Sequence, residues 1–133
     1  MGDERRNVVH RWHGLIDGAS DDGIPAAYTV TLEGTPLDAD DVVRVHARLS
    51  DPHWRAQQVR DALVDGVRLG AGQLWRPDRR ARVDVLRAER GADSARVVLA
   101  VNTVLDRTAL HLRLLQLFAD DRLIEPAVRP RDE

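Results

Sequence analysis

The sequence predicts an α+β domain: an N-terminal helix or helices packed on a strongly curved antiparallel sheet, which closes toward a cone. Three observations carry this. Residues 4–18 repeat apolar side chains at the helical period. From about residue 53 onward, turn signals recur roughly every dozen residues, as in an antiparallel meander. Several segments between those turns alternate apolar with polar residues, as half-buried strands do. At 133 residues the chain is one domain in size. Residues 1–128 are read as that domain and 129–133 as a frayed C-terminal tail.

In the first helix, Val8, Val9, Trp12, Leu15, Ile16 and Ala19 form one apolar stripe. Asp3 can cap it, and Asp3 and Glu4 complement the positive end of its dipole. Gly18 and the run Ser20 to Pro25 end it. Ala27 to Glu33 is a short strand, with Tyr28, Val30 and Leu32 alternating against Thr29 and Thr31. After Gly34-Thr35-Pro36, the acidic start Leu37 to Asp41 opens a second helix. Residues 53–64 are read as a strand running into an Asp65-Gly66 turn, although helix propensity competes there.

Strands then follow at 67–76, 80–89, 95–105, 108–118 and 122–128. Turns at Pro77-Asp78, Gly91-Ala92-Asp93, Asp106-Arg107 and Asp120-Asp121 separate them. Val97, Leu99 and Val101 oppose Val98, Ala100 and Asn102, so 95–105 is apolar on both faces and reads as central. Leu110, Leu112 and Leu114 alternate with His111 and Arg113. A six-stranded sheet of this kind must curl as it twists. The alternative is an all-β closed barrel with the early segments also extended, and the helical period of 4–18 counts against it.

All twenty basic residues are Arg, there is no Lys or Cys, and Asp outnumbers Glu seventeen to five. Lack of cysteine excludes disulfides, thiolate nucleophiles and Cys-based metal sites. Lack of lysine excludes Schiff-base chemistry and a phosphate-loop lysine. A net charge of −2 argues against nucleic acid as a partner. No apolar run reaches the ~18 residues of a membrane span, and the first residues lead into no secretory core. A cytoplasmic protein without membrane segment, metal or cofactor is the expectation.

Arg82 and Asp84 are two apart in a strand, so they share a face. If that face lines a dry cavity, the Arg can hold the Asp ionised to polarise a substrate oxygen or activate a water. An ion pair on a solvated face is the simpler reading. His46 can add a base at a cavity mouth, or be a satisfied structural imidazole, as His53 is read. Trp12, Tyr28, Trp54 and Trp75, with Asn102, are the ligand-binding candidates, in competition with plain core packing. His10, His13 and Asp17 share one side of the first helix and read as a solvated polar face rather than a metal site. Arg76, Arg79 and Arg80 read as a charged hairpin tip around Pro77-Asp78, and Gly70-Ala71-Gly72 as a strand bulge.

The segment Arg82-Val83-Asp84-Val85-Leu86-Arg87-Ala88 resembles a strand of the limonene-epoxide-hydrolase branch of the NTF2-like, or SnoaL-like, α+β cone superfamily. The stretch Leu114 to Glu125 resembles the closing hairpin common in that superfamily. The resemblance spans about residues 38–128. It implies a pocket for a small apolar or oxygenated ligand, worked on by a cofactor-independent hydrolase, isomerase or cyclase. In that branch an Arg and two Asp share the chemistry. Arg82 and Asp84 match the first two, and Leu112-Arg113-Leu114 occupies the region expected to hold the third.

Two functions therefore compete. One is a small-molecule pocket protein using carboxylate and Arg acid–base chemistry, with catalysis left open. The other is a non-enzymatic homo-oligomeric interaction module, a homodimer formed through the sheet's exposed face. Strand 96–104 and the Leu-rich run 110–117 would supply that interface. They are separated by whether Arg82 and Asp84 point into an enclosed cavity.

Overall fold

A computed structural model describes residues 24–65 and 77–131. Its elements are β1 (Ala26–Gly34), α1 (Ala39–Arg48), α2 (Pro52–Asp65), β2 (Arg82–Arg90), β3 (Ala95–Thr103), α3 (Arg107–Leu117) and β4 (Ile124–Pro130). The four strands form one curved antiparallel sheet in the order β2-β3-β1-β4. The α+β class holds. The sheet is not closed into a barrel, so the all-β alternative is excluded.

The connectivity is the split βαβ plan, with the first helical crossover in two pieces. It is not the predicted six-stranded meander. Two segments read as strands are helices. In 53–64, Pro52 sits in the first turn of α2, where its missing N–H costs nothing. Asp51 Oδ1 accepts from the Trp54 N–H at 3.0 Å, a cap that the strand reading leaves out. In 108–118 the Asp106 carboxylate caps α3 by accepting from the Ala109 N–H at 2.7 Å. The buried positions of α3, Ala109, Leu110, Arg113 and Leu114, follow helical spacing. The leucine alternation misleads because leucine serves a helix better than a β-branched residue does.

The second predicted helix is present as α1. Asp38 accepts from the Asp41 N–H at 3.0 Å, and Asp41 in turn accepts from the Leu37 N–H at 3.3 Å. Residues Leu114 to Glu125, matched above to a closing hairpin, are the end of α3, a turn and the start of β4. The stretch Arg82 to Ala88 is a strand, as expected. β4 runs through Pro130, so Arg129 and Pro130 belong to the sheet rather than to a tail. The Arg131 N–H also donates to the Ala27 carbonyl at 3.0 Å.

The helices cover one face of the sheet. Tyr28, Val30 and Leu32 of β1 meet Val97, Leu99 and Val101 of β3 and Val128 of β4 in the core. Val45 and Leu49 of α1, Ala56, Val59 and Leu63 of α2, and Ala109, Leu110 and Leu114 of α3 close over them. α1 crosses the end of β1 closely: a Cβ on Gly34 would fall inside the Val45 side chain. Both sheet edges are blunted. β4 carries Pro126 and Pro130, which lack donors, and the Arg107 Nε–H donates to the Val128 carbonyl at 3.0 Å. β2 carries a bulge between Val85 and Arg87 amid charged residues.

Candidate interaction surface

Alternation along each strand assigns the other face of the sheet. The register arranges it in four rows. Glu89, Arg96, Glu33 and Glu125 form the first, and Arg87, Val98, Thr31 and Ala127 the second. Asp84, Ala100, Thr29 and Arg129 form the third, and Arg82, Asn102 and Ala27 the fourth. The central strands β3 and β1 thus carry on this side an uncharged strip of small and medium residues, of which Val98 is buried and Ala100, Asn102, Thr31, Thr29 and Ala27 are half-buried. Charge sits on the edge strands and at the ends.

The charge is polarised. At one end Arg96 bridges Glu33 at 3.0 Å and Glu89 at 3.6 Å, and Arg87 pairs with Glu89 at 2.9 Å. Glu125 lies beside Glu33 in that row. At the other end Arg82 and Arg129 flank Asp84 and Asn102, and Arg131 donates to the Tyr28 carbonyl at 3.1 Å. One end is richer in Glu and the other in Arg.

Arg82 and Asp84 do share a face, as their spacing requires, and it is this outer one; both are exposed. Among the described residues nothing encloses them. Asn102 lies beside Arg82 in register, and its Oδ1 is buried with no hydrogen-bond partner. Tyr28 is on the opposite face, buried in the core, and its hydroxyl donates to the Leu105 carbonyl at 2.9 Å. Burial first, and then the Asp106 charge, push its phenol above the ordinary range. His46 is a structural imidazole. Its Nε2–H donates to the Ser94 carbonyl at 3.1 Å, and its own carbonyl accepts from Arg90 at 3.3 Å, tying α1 to the β2–β3 hairpin. Trp54 stands 53% exposed on α2, stacked on Arg55, and His53 is exposed beside it. Trp12, Trp75, His10, His13, Asp17 and Gly70-Ala71-Gly72 lie outside the described residues.

The burial of Asp78, Arg55 and Arg113 is absent from the sequence reading. Asp78, expected at a solvated hairpin tip, is buried. Its Oδ2 accepts from the Thr103 hydroxyl at 2.6 Å and the Val104 N–H at 2.8 Å, and its Oδ1 from the Arg80 N–H at 3.1 Å. Arg55 is buried where the ends of α1 and α2 meet. Its Nε and Nη2 donate to the Arg48 carbonyl at 2.8 and 2.6 Å, satisfying an end group of α1. Burial pushes its guanidinium down; nearby Asp121 opposes this and Arg48 adds to it. Arg113 is buried within α3. The one available signal is the Pro-Asp pair that contains Asp78, a frequent site of side-chain-to-backbone turns.

Two open grooves flank this framework. One, of about 390 Å³, lies between α1 and the α3–β4 turn, lined by Asp38, Asp41, Arg44, Arg48 and Asp121 among others. Its Arg44–Asp41 and Arg48–Asp121 pairs close at 3.1 Å. The other, of about 500 Å³, lies between α3 and β4 beside His111 and Pro126. Among the described residues no group of His, Asp and Glu could hold a metal ion, and no helix is long and apolar enough to cross a membrane. The segments expected to share a dimer interface lie on opposite layers: β3 offers its second side on the outer face, while Leu112 and Leu115 are exposed on α3.

The class these features define is a two-layer α+β domain whose sheet presents an uncharged strip between polarised charged ends. Comparison with known protein families, curated proteins and solved structures yields no match.

Proposed function

We propose that the chain is a non-enzymatic interaction module that self-associates through the outer face of its sheet. The observation that carries this reading is the polarity of that face. Glu33, Glu89 and Glu125 outnumber their partners Arg87 and Arg96 at one end, and Arg82, Arg129 and Arg131 outnumber Asp84 at the other. A two-fold axis through the centre lays the acidic end of one copy over the basic end of the next, and strip over strip. An uncharged centre within a charged rim is the usual anatomy of an interface. Four strands of this length offer roughly 500–600 Å² per copy, the scale of a weak, reversible contact.

The pocket reading is less well supported. Acid–base work by Arg82 and Asp84 requires a site that excludes water, and neither side chain is buried. Tyr28, expected to line a pocket, is packed into the core.

Light scattering over a range of concentrations tests the proposal. The protein is expected to show a dimer that grows with concentration and weakens with salt. Ala100→Arg, in the middle of the strip, abolishes it. Leu112→Arg, on the helical layer, leaves it unchanged. A chain that stays monomeric at every concentration overturns the reading.

A further inference from the structure

In the groove between α3 and β4, hydrogen-bond donors outnumber acceptors. It holds about 500 Å³, and its walls include Arg107, Thr108 and His111 of α3 and Pro126, Val128 and Arg129 of β4. Glu125 is the one carboxylate among the lining residues. The Arg107 Nε–H donates to the Val128 carbonyl at 3.0 Å, which anchors this guanidinium at the sheet margin. Among the described residues, its two terminal nitrogens have no partner. The side chains of Arg129, Thr108 and His111 have none either. Arg44, Arg48, Arg87 and Arg96, by contrast, are each paired with a carboxylate.

The backbone of β4 adds to this excess. Leu123 and Arg131 bond across to Thr35 and Ala27. In an antiparallel ladder the residues of that parity face β1, so Ile124, Pro126, Val128 and Pro130 turn their backbone groups away from it. The two prolines have no N–H, and the Ile124 N–H donates to the Asp121 carbonyl at 3.2 Å. The Val128 N–H is left directed at the groove, while its carbonyl is taken by Arg107. A backbone donor thus stands between two guanidinium groups, one from the helix and one from the strand. Pro126 and Val128 supply an apolar wall beside them. Convergent donors next to an apolar wall are the usual make-up of a small-molecule site.

We propose that the α3–β4 groove binds a small organic oxyanion, its charged group between Arg107 and Arg129 and its apolar part against Pro126 and Val128. The guanidinium fork matches carboxylate and phosphate alike. The site does not rest on self-association. Nuclear magnetic resonance titration of the full-length protein tests it with three ligands that share one aromatic ring: benzoate, phenyl phosphate and benzylamine. One or both of the anions should shift the Val128 and Thr108 amides to saturation, and the tighter of the two names the preferred group. Benzylamine, with the opposite charge, should leave those amides in place. Failure of both anions to saturate, or equal shifts with benzylamine, overturns the site.

Substitutions then separate a built site from diffuse attraction. Arg129→Gln should weaken the anion by roughly tenfold, and Arg107→Gln by at least as much. Arg129 is exposed and holds no other group, so its variant keeps the fold and decides the matter even if loss of the Arg107 anchor unfolds the chain. Arg44→Gln, in the other groove, should leave binding unchanged. An equal loss with Arg44→Gln, or no loss with Arg129→Gln, overturns the assignment. Binding is repeated in Ala100→Arg. A chain that binds the anion yet never dimerises keeps the site while self-association fails; one that dimerises without binding the anion does the reverse.

Discussion

The two faces of the sheet are built from the same strands by alternate residues, yet they are opposite in character. The core face is a continuous set of Val, Leu and Tyr that meets α1, α2 and α3. The outer face carries Thr, Ala, Val and Asn on its central strands and charge at its margins. Edge pairing is discouraged at both ends by prolines, a bulge and charges. A contact through the outer face would leave the framework intact. Core and outer-face substitutions should separate into those that change stability and those that change association.

The largest effect is expected where the core face is pinned at the end of β3. Asp78→Ala leaves the buried Thr103 hydroxyl and the Val104 N–H without their acceptor. Charge-assisted bonds and the orphaned donors together put the loss at about 4 kcal/mol. Asp78→Asn should recover only part, because one amide position turns a donor toward existing donors. Urea denaturation measures both. A loss under about 1 kcal/mol for the alanine variant would show that Asp78 is not the pin.

Next comes the direct contrast between faces. Leu99→Ala, at the centre of the core face, should cost about 3 kcal/mol through lost burial and the cavity left behind. Thr31→Ala, one strand away on the outer face, should cost under about 0.5 kcal/mol. Equal losses would mean that folding depends on the outer strip no less than on the core. Gly34→Ala should fall between them, at about 2 kcal/mol, because Val45 must move to admit a methyl group. An unchanged denaturation midpoint would show that α1 can shift away at no cost.

The contrast also explains what is legible in the sequence. β1 and β3 can be read because period-two alternation is strong in both, and the two apolar sides of β3 mark it as central. α1 can be read from its acidic first turn. α2 and α3 escape because their caps, Asp51 with Pro52 and Asp106, look like turns between strands. Local signals at a helix start and at a hairpin turn use the same residues, and only tertiary packing decides between them. Spacing puts Arg82 and Asp84 on one face, but alternation cannot say which face meets the helices. The burial of Asp78 and Arg55 is invisible because it depends on partners such as Thr103, Val104 and Arg48. No single-sequence pattern brings those together.

The smallest effect concerns Tyr28, and composition makes it unusually clean. With no Lys, no Cys and one Tyr, this phenol is the only side chain that titrates between the histidine and arginine ranges. Its hydroxyl donates to the Leu105 carbonyl in the core. Burial first and Asp106 second raise its pKa in the folded state. The sign follows from linkage. Below the ordinary phenol range both folded and unfolded chains hold the proton, and the contribution to stability is complete. As pH rises through about 10, the unfolded chain loses its proton first, and stability falls until the folded phenol also ionises. Wild type should therefore lose stability across alkaline pH while phenolate absorbance in the folded protein lags behind. Tyr28→Phe should begin lower by about 1 kcal/mol, for the missing hydrogen bond, and then stay nearly flat over the same interval. An equal alkaline decline in both proteins would place the responsible titration elsewhere and remove Tyr28 from the core-face account.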